Sequence, residues 1–516
     1  MTNVPWLTIV GAIPLVGAIV VWLLPSGVAA RAKQVALGFS LLTLVAGILA
    51  TVAFAGSDST GQFRLEEQHQ WIPQFGVSYA LGVDGIALAL ILMSLILTPI
   101  CLLAAWRDLP ASGEGPDPRE KSYFALMLVL ETFMVGVFAA TDVFLFYVFF
   151  EAMLIPVYFL IGQYGGPRRQ YAAVKFLVFS LVGGLIMLAS VIGLYTQGPG
   201  GSDGFLVENL TGLSLDPTTG RLLFLGFFIA FAVKAPMVPV HTWLPDAATE
   251  ATPATATLLV GVLDKVGTYG MIRFCLQLFP EASQWATPVV IALAVISVLY
   301  GALLAIGQTD VMRLIAYTSI SHFGFIVLGI FAMTSTGFAG STLYMVNHGF
   351  TTAALFLIAA MMVSRRGSKR ISDFGGWQRV TPVLAGSFLV AGLSGLALPG
   401  LGAFVAEFLT LVGTFQRYPI PAVIATLGII LAALYILLLY KRMATGPVPK
   451  SAAGTRDLGS REKWVVAPLI ALFLVLGFYP KPALDMINPA VSTTLGYMGV
   501  VDPAPIVPVN AEGGAK

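Results

Sequence analysis

The chain has 516 residues, of which 57% are hydrophobic and only 10% are charged. Ordinary soluble domains carry about 25% charged residues, so this composition excludes a soluble enzyme and predicts a membrane protein. The 28 basic and 26 acidic residues nearly cancel, and this balance gives no indication of nucleic acid as a partner. Cys101 and Cys275 lie in apolar stretches without metal-ligand spacing, which argues against an iron–sulfur protein.

Apolar runs long enough to cross a bilayer recur along the whole chain, since each spanning helix needs roughly 20 mainly apolar residues. We therefore predict an all-α, multi-pass membrane protein with about 14 transmembrane helices, numbered here as spans one to fourteen. They cover residues 5–24, 33–54, 84–106, 122–140, 143–161, 172–194, 221–243, 253–279, 287–306, 309–333, 338–363, 381–412, 421–440 and 464–488. Residues 56–83 predict a short hairpin or amphipathic segment at the surface, and the proline-rich tail after Asp502 predicts a loose arm.

The basic residues predict the orientation of these spans. With the N-terminus outside, twenty of the 28 lysines and arginines fall in inside loops or adjoining helix ends, and six fall outside. Because basic residues are retained on the cytoplasmic side, both termini are expected on the outer side of the membrane. The two remaining residues, Lys234 and Lys265, lie within hydrophobic spans.

Several ionisable side chains fall inside the predicted spans. Such a charge costs about 2.5 to 3.5 kcal/mol on insertion scales, so those that remain usually face a cavity and mark an ion pathway. For Glu131, Lys175 and Asp264, a second explanation fits equally well: each could lie at a helix end, with its charge extending to the membrane interface. An interior position is expected for Lys234 and Glu407, which lie deep in long apolar runs. The other candidates are Glu151, Lys265, His322 and His348.

Spans seven and twelve contain helix-breaking residues. Pro236 and Pro239 follow Lys234, and Pro399 precedes Glu407. Proline in a helix interior removes a backbone donor and clashes with the preceding turn, so both helices are expected to be broken near mid-membrane. Broken helices at corresponding positions of two halves indicate a transporter's ion site, whereas simple kinks are the alternative.

The corresponding positions of the breaks predict two inverted five-helix repeats, made of spans four to eight and nine to thirteen. A unit with an odd number of helices must be repeated from the opposite side of the membrane. The predicted parts are a three-helix N-terminal segment (1–121), a first repeat (122–279), a second repeat (280–442) and a C-terminal helix with a tail (443–516).

The buried charges predict proton transfer. Freed carbonyls at a helix break favour a cation at Lys234, and Glu151 is the candidate acidic neighbour. At ~4 Å and an effective dielectric of about 20, such a pair attracts by ~4 kcal/mol, so separating it would favour proton release. Lys265, His322 and His348 could relay a proton to Glu407, because histidine gives and accepts protons near neutrality; ordinary packing is the alternative for each histidine.

Residues 233–247, Val-Lys-Ala-Pro-Met-Val-Pro-Val-His-Thr-Trp-Leu-Pro-Asp-Ala, carry a resemblance to a known family. This run resembles the antiporter-like proton-channel subunits of respiratory NADH:quinone oxidoreductase (complex I), which are related to subunits of multisubunit sodium/proton antiporters. The segment Tyr-Val-Phe-Phe-Glu-Ala-Met-Leu-Ile-Pro around Glu151 extends the resemblance. A glutamate rather than a lysine in span twelve is similar to the M-type members, the bacterial counterparts of mitochondrial NADH dehydrogenase subunit 4.

The resemblance implies a proton-translocating membrane-arm subunit in the bacterial cytoplasmic membrane, beside neighbours of the L and N types. NADH, FMN, iron–sulfur clusters and quinone are expected in partner subunits, and no cofactor is expected on this chain. The resemblance also implies a Glu151–Lys234 pair, a central Lys265 and an exit at Glu407. His241, His322 and His348 are expected on or beside a hydrated axis, with Lys175 as a modulator.

Three other functions remain open at the level of sequence. The first is a subunit of a cation/proton antiporter that exchanges sodium for protons along the same axis. The second is a haem-binding membrane oxidoreductase with His241, His322 or His348 as axial ligands. The third is a free-standing solute transporter, which the broken helices alone would also fit.

Overall fold

The computed structural model describes residues 4–25, 31–57, 61–108 and 118–504, and within them it is almost entirely helical. The helices are α1 (Trp6–Leu23), α2 (Ala32–Ala55), α3 (Gly85–Ala104), α4 (Pro118–Ala139), α5 (Val143–Ala152), α6 (Leu154–Tyr164), α7 (Arg169–Gln197), α8 (Val207–Leu210), α9 (Pro217–Lys234), α10 (Trp243–Glu250), α11 (Pro253–Leu258), α12 (Asp264–Gly270), α13 (Pro280–Ile306), α14 (Val311–Phe331), α15 (Ser335–Arg366), α16 (Trp377–Val380), α17 (Pro382–Gly395), α18 (Gly402–Arg417), α19 (Pro419–Ala444), α20 (Ser460–Phe478) and α21 (Lys481–Tyr497). Two π-helical segments, Leu259–Leu263 and Met271–Leu276, flank α12.

The strands β1 (Arg64–Ile72) and β2 (Val77–Val83) form an antiparallel hairpin, which confirms the hairpin expected within residues 56–83. Strand β2 is mostly buried, whereas β1 is mostly exposed. The hairpin packs on the helix ends, because Glu67 accepts a 2.7 Å hydrogen bond from the backbone of Leu7 and the backbone of Ser78 donates one of 2.9 Å to Asp142.

The multi-pass helical architecture is confirmed. Over the described residues, eleven helices are long and apolar enough to cross a membrane, and α20 with α21 would make a twelfth. The count of fourteen stays a prediction, because spans eight and twelve are divided into shorter helical pieces. Span fourteen is not one straight helix: α20 and α21 meet at 68°, since Pro480 and Pro482 cannot continue the hydrogen-bond ladder of α20.

Both predicted helix breaks are present. α9 ends at Lys234 and α10 begins at Trp243, while α17 ends at Gly395 and α18 begins at Gly402. At the second break Gly400 has φ of 89°, a conformation that glycine adopts without the steric cost of a Cβ. The division into repeats at residues 121, 279 and 442 stays a prediction.

The described ends of the chain lie at the same end of the helix bundle, the hairpin end. There α1 contacts the hairpin through Leu7, and Gln284 at the start of α13 donates to the carbonyl of Met498. The opposite end, the basic end, holds ion pairs such as Arg365–Glu462 and Lys175–Asp246. This arrangement agrees with an even number of crossings and with the clustering of basic residues on one side.

Candidate functional site

A row of five buried polar side chains runs from α12 through α14 and α15 to α18. Nζ of Lys265 lies 2.7 Å from Nδ1 of His348, whose ring centroid is 5.2 Å from that of His322. Nδ1 of His322 lies 2.7 Å from the hydroxyl of Tyr344, and that hydroxyl donates a 3.0 Å hydrogen bond to Glu407. We call these five residues the central row.

A local distortion of the helix positions Lys265. The π-helical turn Leu259–Leu263 directly precedes α12, and the ammonium of Lys265 donates a 2.7 Å hydrogen bond to the carbonyl of Val260, five residues earlier. Single π-helical turns occur frequently at functional sites. The ring of Phe323 lies 5.1 Å from the ammonium and adds a cation–π contact. The amine is thus held by a carbonyl, an imidazole and an aromatic ring.

The donors and acceptors of the central row point in one direction. An ammonium can only donate, so charged Lys265 donates to Nδ1 of His348 and leaves the proton of that imidazole on Nε2. Tyr344 donates to Glu407, so its oxygen must accept from Nδ1 of His322. The hydrogen bonds thus form two segments of the same direction, Lys265–His348 and His322–Tyr344–Glu407. Nε2 of His348 has no partner among the described residues, so transfer between the two imidazoles requires a further step.

Sequence reasoning missed Tyr344 although a signal was present. Tyr344 and His348 are four residues apart on α15, and residues at this spacing share a helix face. Tyr435 of α19 was missed as well: it is buried, it interacts electrostatically with Glu407, and its hydroxyl has no partner among the described residues. No pattern in the sequence connects Tyr435 with Glu407.

Lys234 and Glu151 form a second polar group, in the first half of the bundle. Lys234 is the last residue of α9, and its ammonium lies 5.3 Å from the ring centroids of both Phe150 and Phe176. Lys234 and Glu151 interact electrostatically, yet no ion pair within 4 Å joins them in the described part of the chain. The two side chains therefore do not form the ~4 Å contact expected from the sequence, and the ammonium lies beside the two aromatic rings. Glu151 packs instead against Gly184, where an added Cβ atom would overlap Oε1 of the carboxylate.

Asp264 connects the two polar groups electrostatically. It is fully buried and interacts with the charges of both Lys265 and Lys234, while neither carboxylate oxygen has a partner in the described ranges. The alternative in which Asp264 reaches the membrane interface is therefore wrong. The flanking π-helical segments change the angular positions of α12 residues relative to a regular helix, which sequence spacing alone does not predict.

The remaining candidates lie outside the central row. Lys175 forms a 2.7 Å ion pair with Asp246 at the basic end, and Asp246 also binds Arg313 at 2.6 Å. His241 lies in the first break and packs edge-on against Tyr300, with ring centroids 5.4 Å apart. No hydrogen bond between described residues joins Lys175 or His241 to the central row.

Glu131 is fully buried between α2 and α4, not at a helix end. It accepts a 3.2 Å hydrogen bond from Ser40 on α2, and its second oxygen has no partner among the described residues. Glu131 is thus an interior residue, and no hydrogen bond between described residues joins it to either polar group.

The region that carries both polar groups matches a known family. The family model for the transmembrane region of NADH:quinone oxidoreductase and Mrp antiporter subunits matches residues 140–433. This match covers more than half of the chain. The chain belongs to this family.

Relatives within the NADH:quinone oxidoreductase/Mrp antiporter family match almost end to end. NADH-quinone oxidoreductase subunit M of Mycobacterium tuberculosis strain H37Rv is 52% identical, over 100% of this chain and 99% of the relative. NADH-ubiquinone oxidoreductase chain 4 of Marchantia polymorpha is 34% identical, over 94% and 96%. A chain of respiratory complex I from Thermus thermophilus with bound NADH superposes with a TM-score of 0.86 at 30% identity, covering 96% of this chain and 100% of that chain. The resemblance to M-type subunits is thereby confirmed.

Proposed function

We propose that this chain is a proton-translocating subunit in the membrane arm of NADH:quinone oxidoreductase (complex I), moving protons from the cytoplasm to the periplasmic side. The observation that carries the proposal is the buried central row from Lys265 to Glu407, in which two hydrogen-bonded segments meet at the contact between the imidazoles of His348 and His322. The name of the Mycobacterium tuberculosis relative supports the oxidoreductase over an antiporter subunit. The family itself includes both kinds of protein.

The residues of the central row would divide the transfer into short steps. Lys265 holds a proton and passes it to His348, and His322 passes one through the Tyr344 hydroxyl to Glu407. Imidazole suits this relay because one nitrogen can accept while the other donates. Glu407 then releases the proton toward the hairpin end, which we assign to the periplasmic side.

Lys234, Glu151 and Asp264 would control when Lys265 releases its proton. Opposite charges within about 4–6 Å stabilise the charged forms and like charges destabilise them. When Lys234 moves closer to Glu151, the negative charge of Asp264 acts mainly on Lys265, and Lys265 keeps its proton. When Lys234 moves back toward Asp264, the attraction of Asp264 for Lys265 is weakened, and Lys265 can release its proton. The residues involved would belong to two inverted repeats, 122–279 and 280–442.

Protons would enter from a cavity of about 370 Å³ at the basic end. Its lining includes Glu250, Thr252 and Lys369, and Thr252 is hydrogen-bonded to the hydroxyls of Tyr123 and Thr255. Thr252 and Thr255 lie at the start of α11, the helix that leads to the π-helical turn before Lys265. Lys175 would act by holding α10 through Asp246, while His241 would lie beside the route.

We further propose a location in the bacterial cytoplasmic membrane, with both termini outside and with L- and N-type subunits as neighbours. NADH, FMN, iron–sulfur clusters and quinone would be bound by partner subunits, so this chain would contribute translocation without a redox step of its own. The similar Thermus thermophilus chain was solved within respiratory complex I, which supports a place among other subunits of such a complex.

The test uses inverted membrane vesicles that contain the assembled complex. Lys234→Met removes the buried charge, and Lys441→Met removes an exposed lysine at the basic end as the matched control. We expect NADH-driven acidification to fall in the first variant and to stay unchanged in the second. If Lys234→Met leaves NADH oxidation and acidification intact but abolishes sodium-driven proton movement, the antiporter function replaces this proposal.

A further inference from the structure

A groove of about 440 Å³ opens on the membrane-facing surface between α1 and α6, with α4 as its floor. The small side chains of Ala18 and Ala125 leave room for the groove. Ile19 and Phe159 form its opposite walls, and their side chains are 49% and 38% exposed. The lining residues of α1 and of α4 each recur every three or four positions, so the groove runs along the helix axes. It is therefore an elongated apolar slot parallel to the membrane normal.

Two cations lie on either side of the mouth of this groove at the basic end. Lys121 donates a 2.5 Å hydrogen bond to the carbonyl of Leu24, just beyond the end of α1. Arg119 donates one of 3.0 Å to the carbonyl of Gln163, which lines the groove near the end of α6. Glu120 lies between them in sequence but forms an ion pair with Lys33. Arg119 also lies against the ring of Tyr164, with its guanidinium carbon 5.6 Å from the ring centroid.

We propose that this groove binds an anionic phospholipid, with the phosphate between Arg119 and Lys121 and one acyl chain along Ala18 and Ala125. Basic side chains beside apolar surface at the cytoplasmic side attract anionic lipid headgroups. Trp22 lies at the same mouth and is 68% exposed, as expected for an indole at headgroup level. A helix of a neighbouring subunit, about 10 Å across, is a poorer match to a slot with side walls and a charged mouth.

The experiment introduces a photoreactive side chain, Ile19→p-benzoylphenylalanine, into the full chain within the assembled complex. The complex is placed in vesicles of phosphatidylcholine with a minor fraction of phosphatidylglycerol, and adducts are identified by mass spectrometry after illumination. We expect phosphatidylglycerol adducts above their bulk proportion. Adducts in the bulk proportion, or adducts with a neighbouring subunit, would overturn the proposal.

Further substitutions test the cationic mouth and the apolar floor of the groove separately. Lys121→Gln and Arg119→Gln should each lower the phosphatidylglycerol enrichment about five-fold, since one cation near anionic lipid contributes roughly 1 kcal/mol. Arg442→Gln, at an exposed cation of the basic end outside the groove, is the control. Ala125→Leu should remove lipid adducts of both kinds by filling the floor, whereas Gly386→Leu, where a Cβ meets no atom within 4 Å, should not. If the variants and their controls change the lipid adducts equally, the groove is not the lipid-binding site.

Discussion

The hydroxyl of Tyr344 donates a 3.0 Å hydrogen bond to the carboxylate of Glu407, and its oxygen lies 2.7 Å from Nδ1 of His322. One phenol therefore joins α14, α15 and α18 inside the bundle. A hydroxyl can accept a proton on one side and give one on the other. Among the described side chains, Tyr344 alone joins His322 to Glu407 by hydrogen bonds.

Replacing Tyr344 with phenylalanine should interrupt the central row while keeping the ring. We expect proton movement through this chain to fall by about 10²-fold, the lower range for a positioned proton-transfer group. The measurement is the ratio of protons moved to NADH oxidised in inverted vesicles. Tyr195→Phe is the control, because that ring stacks on Phe205 and belongs to neither polar group. An unchanged ratio in Tyr344→Phe would mean that protons bypass the phenol.

Gly184→Ala should displace the Glu151 carboxylate, because the new Cβ would overlap its Oε1 atom. We expect proton pumping to fall to the level of Glu151→Gln in an assembled complex. Gly386→Ala is the matched control, since a Cβ there meets no atom within 4 Å. The shorter side chain in the double variant Gly184→Ala/Glu151→Asp should restore part of the pumping, and a purely additive loss would refute the steric explanation.

Arg273→Met should destabilise the hairpin end. Arg273 is fully buried and forms an ion pair with Asp84, and removing one partner of a buried pair costs about 3–5 kcal/mol. Thermal unfolding of the purified chain in detergent measures the loss. Lys481→Met breaks the exposed pair with Asp485, whose side chains are 66% and 58% exposed, and should change the midpoint little. Similar shifts in the two variants would contradict the burial argument.

The loop between α4 and α5 should make stability depend on pH. Burial raises the pKa of Asp142 from 3.8 to about 6, although backbone N–H groups including that of Ser78 oppose this shift. The folded state therefore binds the proton more tightly, so stability falls as the pH rises from about 4 to about 6 and then levels off. The full effect is about 3 kcal/mol.

Asp142→Asn should remove this pH dependence, because an amide does not titrate in the range and its oxygen can still accept from Ser78. Thermal unfolding midpoints of both proteins across pH 4–8 test the prediction. We expect the difference between them to grow with pH up to about 6. A constant difference would show that Asp142 does not titrate there.

Features that depend on a single stretch of chain followed from the sequence. Apolar run length predicted the spanning helices, because a bilayer has a fixed thickness. Pro236 and Pro399 predicted the breaks, because a proline ring disrupts any helix in which it stands. The same residue-level reasoning selected Lys234, Lys265 and Glu407 as buried charges. The bend at residues 479–482 was not predicted, because Pro480 and Pro482 were included in a single apolar run although prolines disrupt a helix.

Features that depend on contact between distant segments were decided only by the tertiary structure. Tyr344 and Glu407 are 63 residues apart, and the approach of Gly184 to Glu151 brings α7 against α5. Asp264 interacts with both lysines where π-helical segments shift the angular positions around α12. Sequence reveals which side chains are costly to bury, but helix packing determines which of them meet, because a proton passes only between groups that are within hydrogen-bond distance or joined by one water.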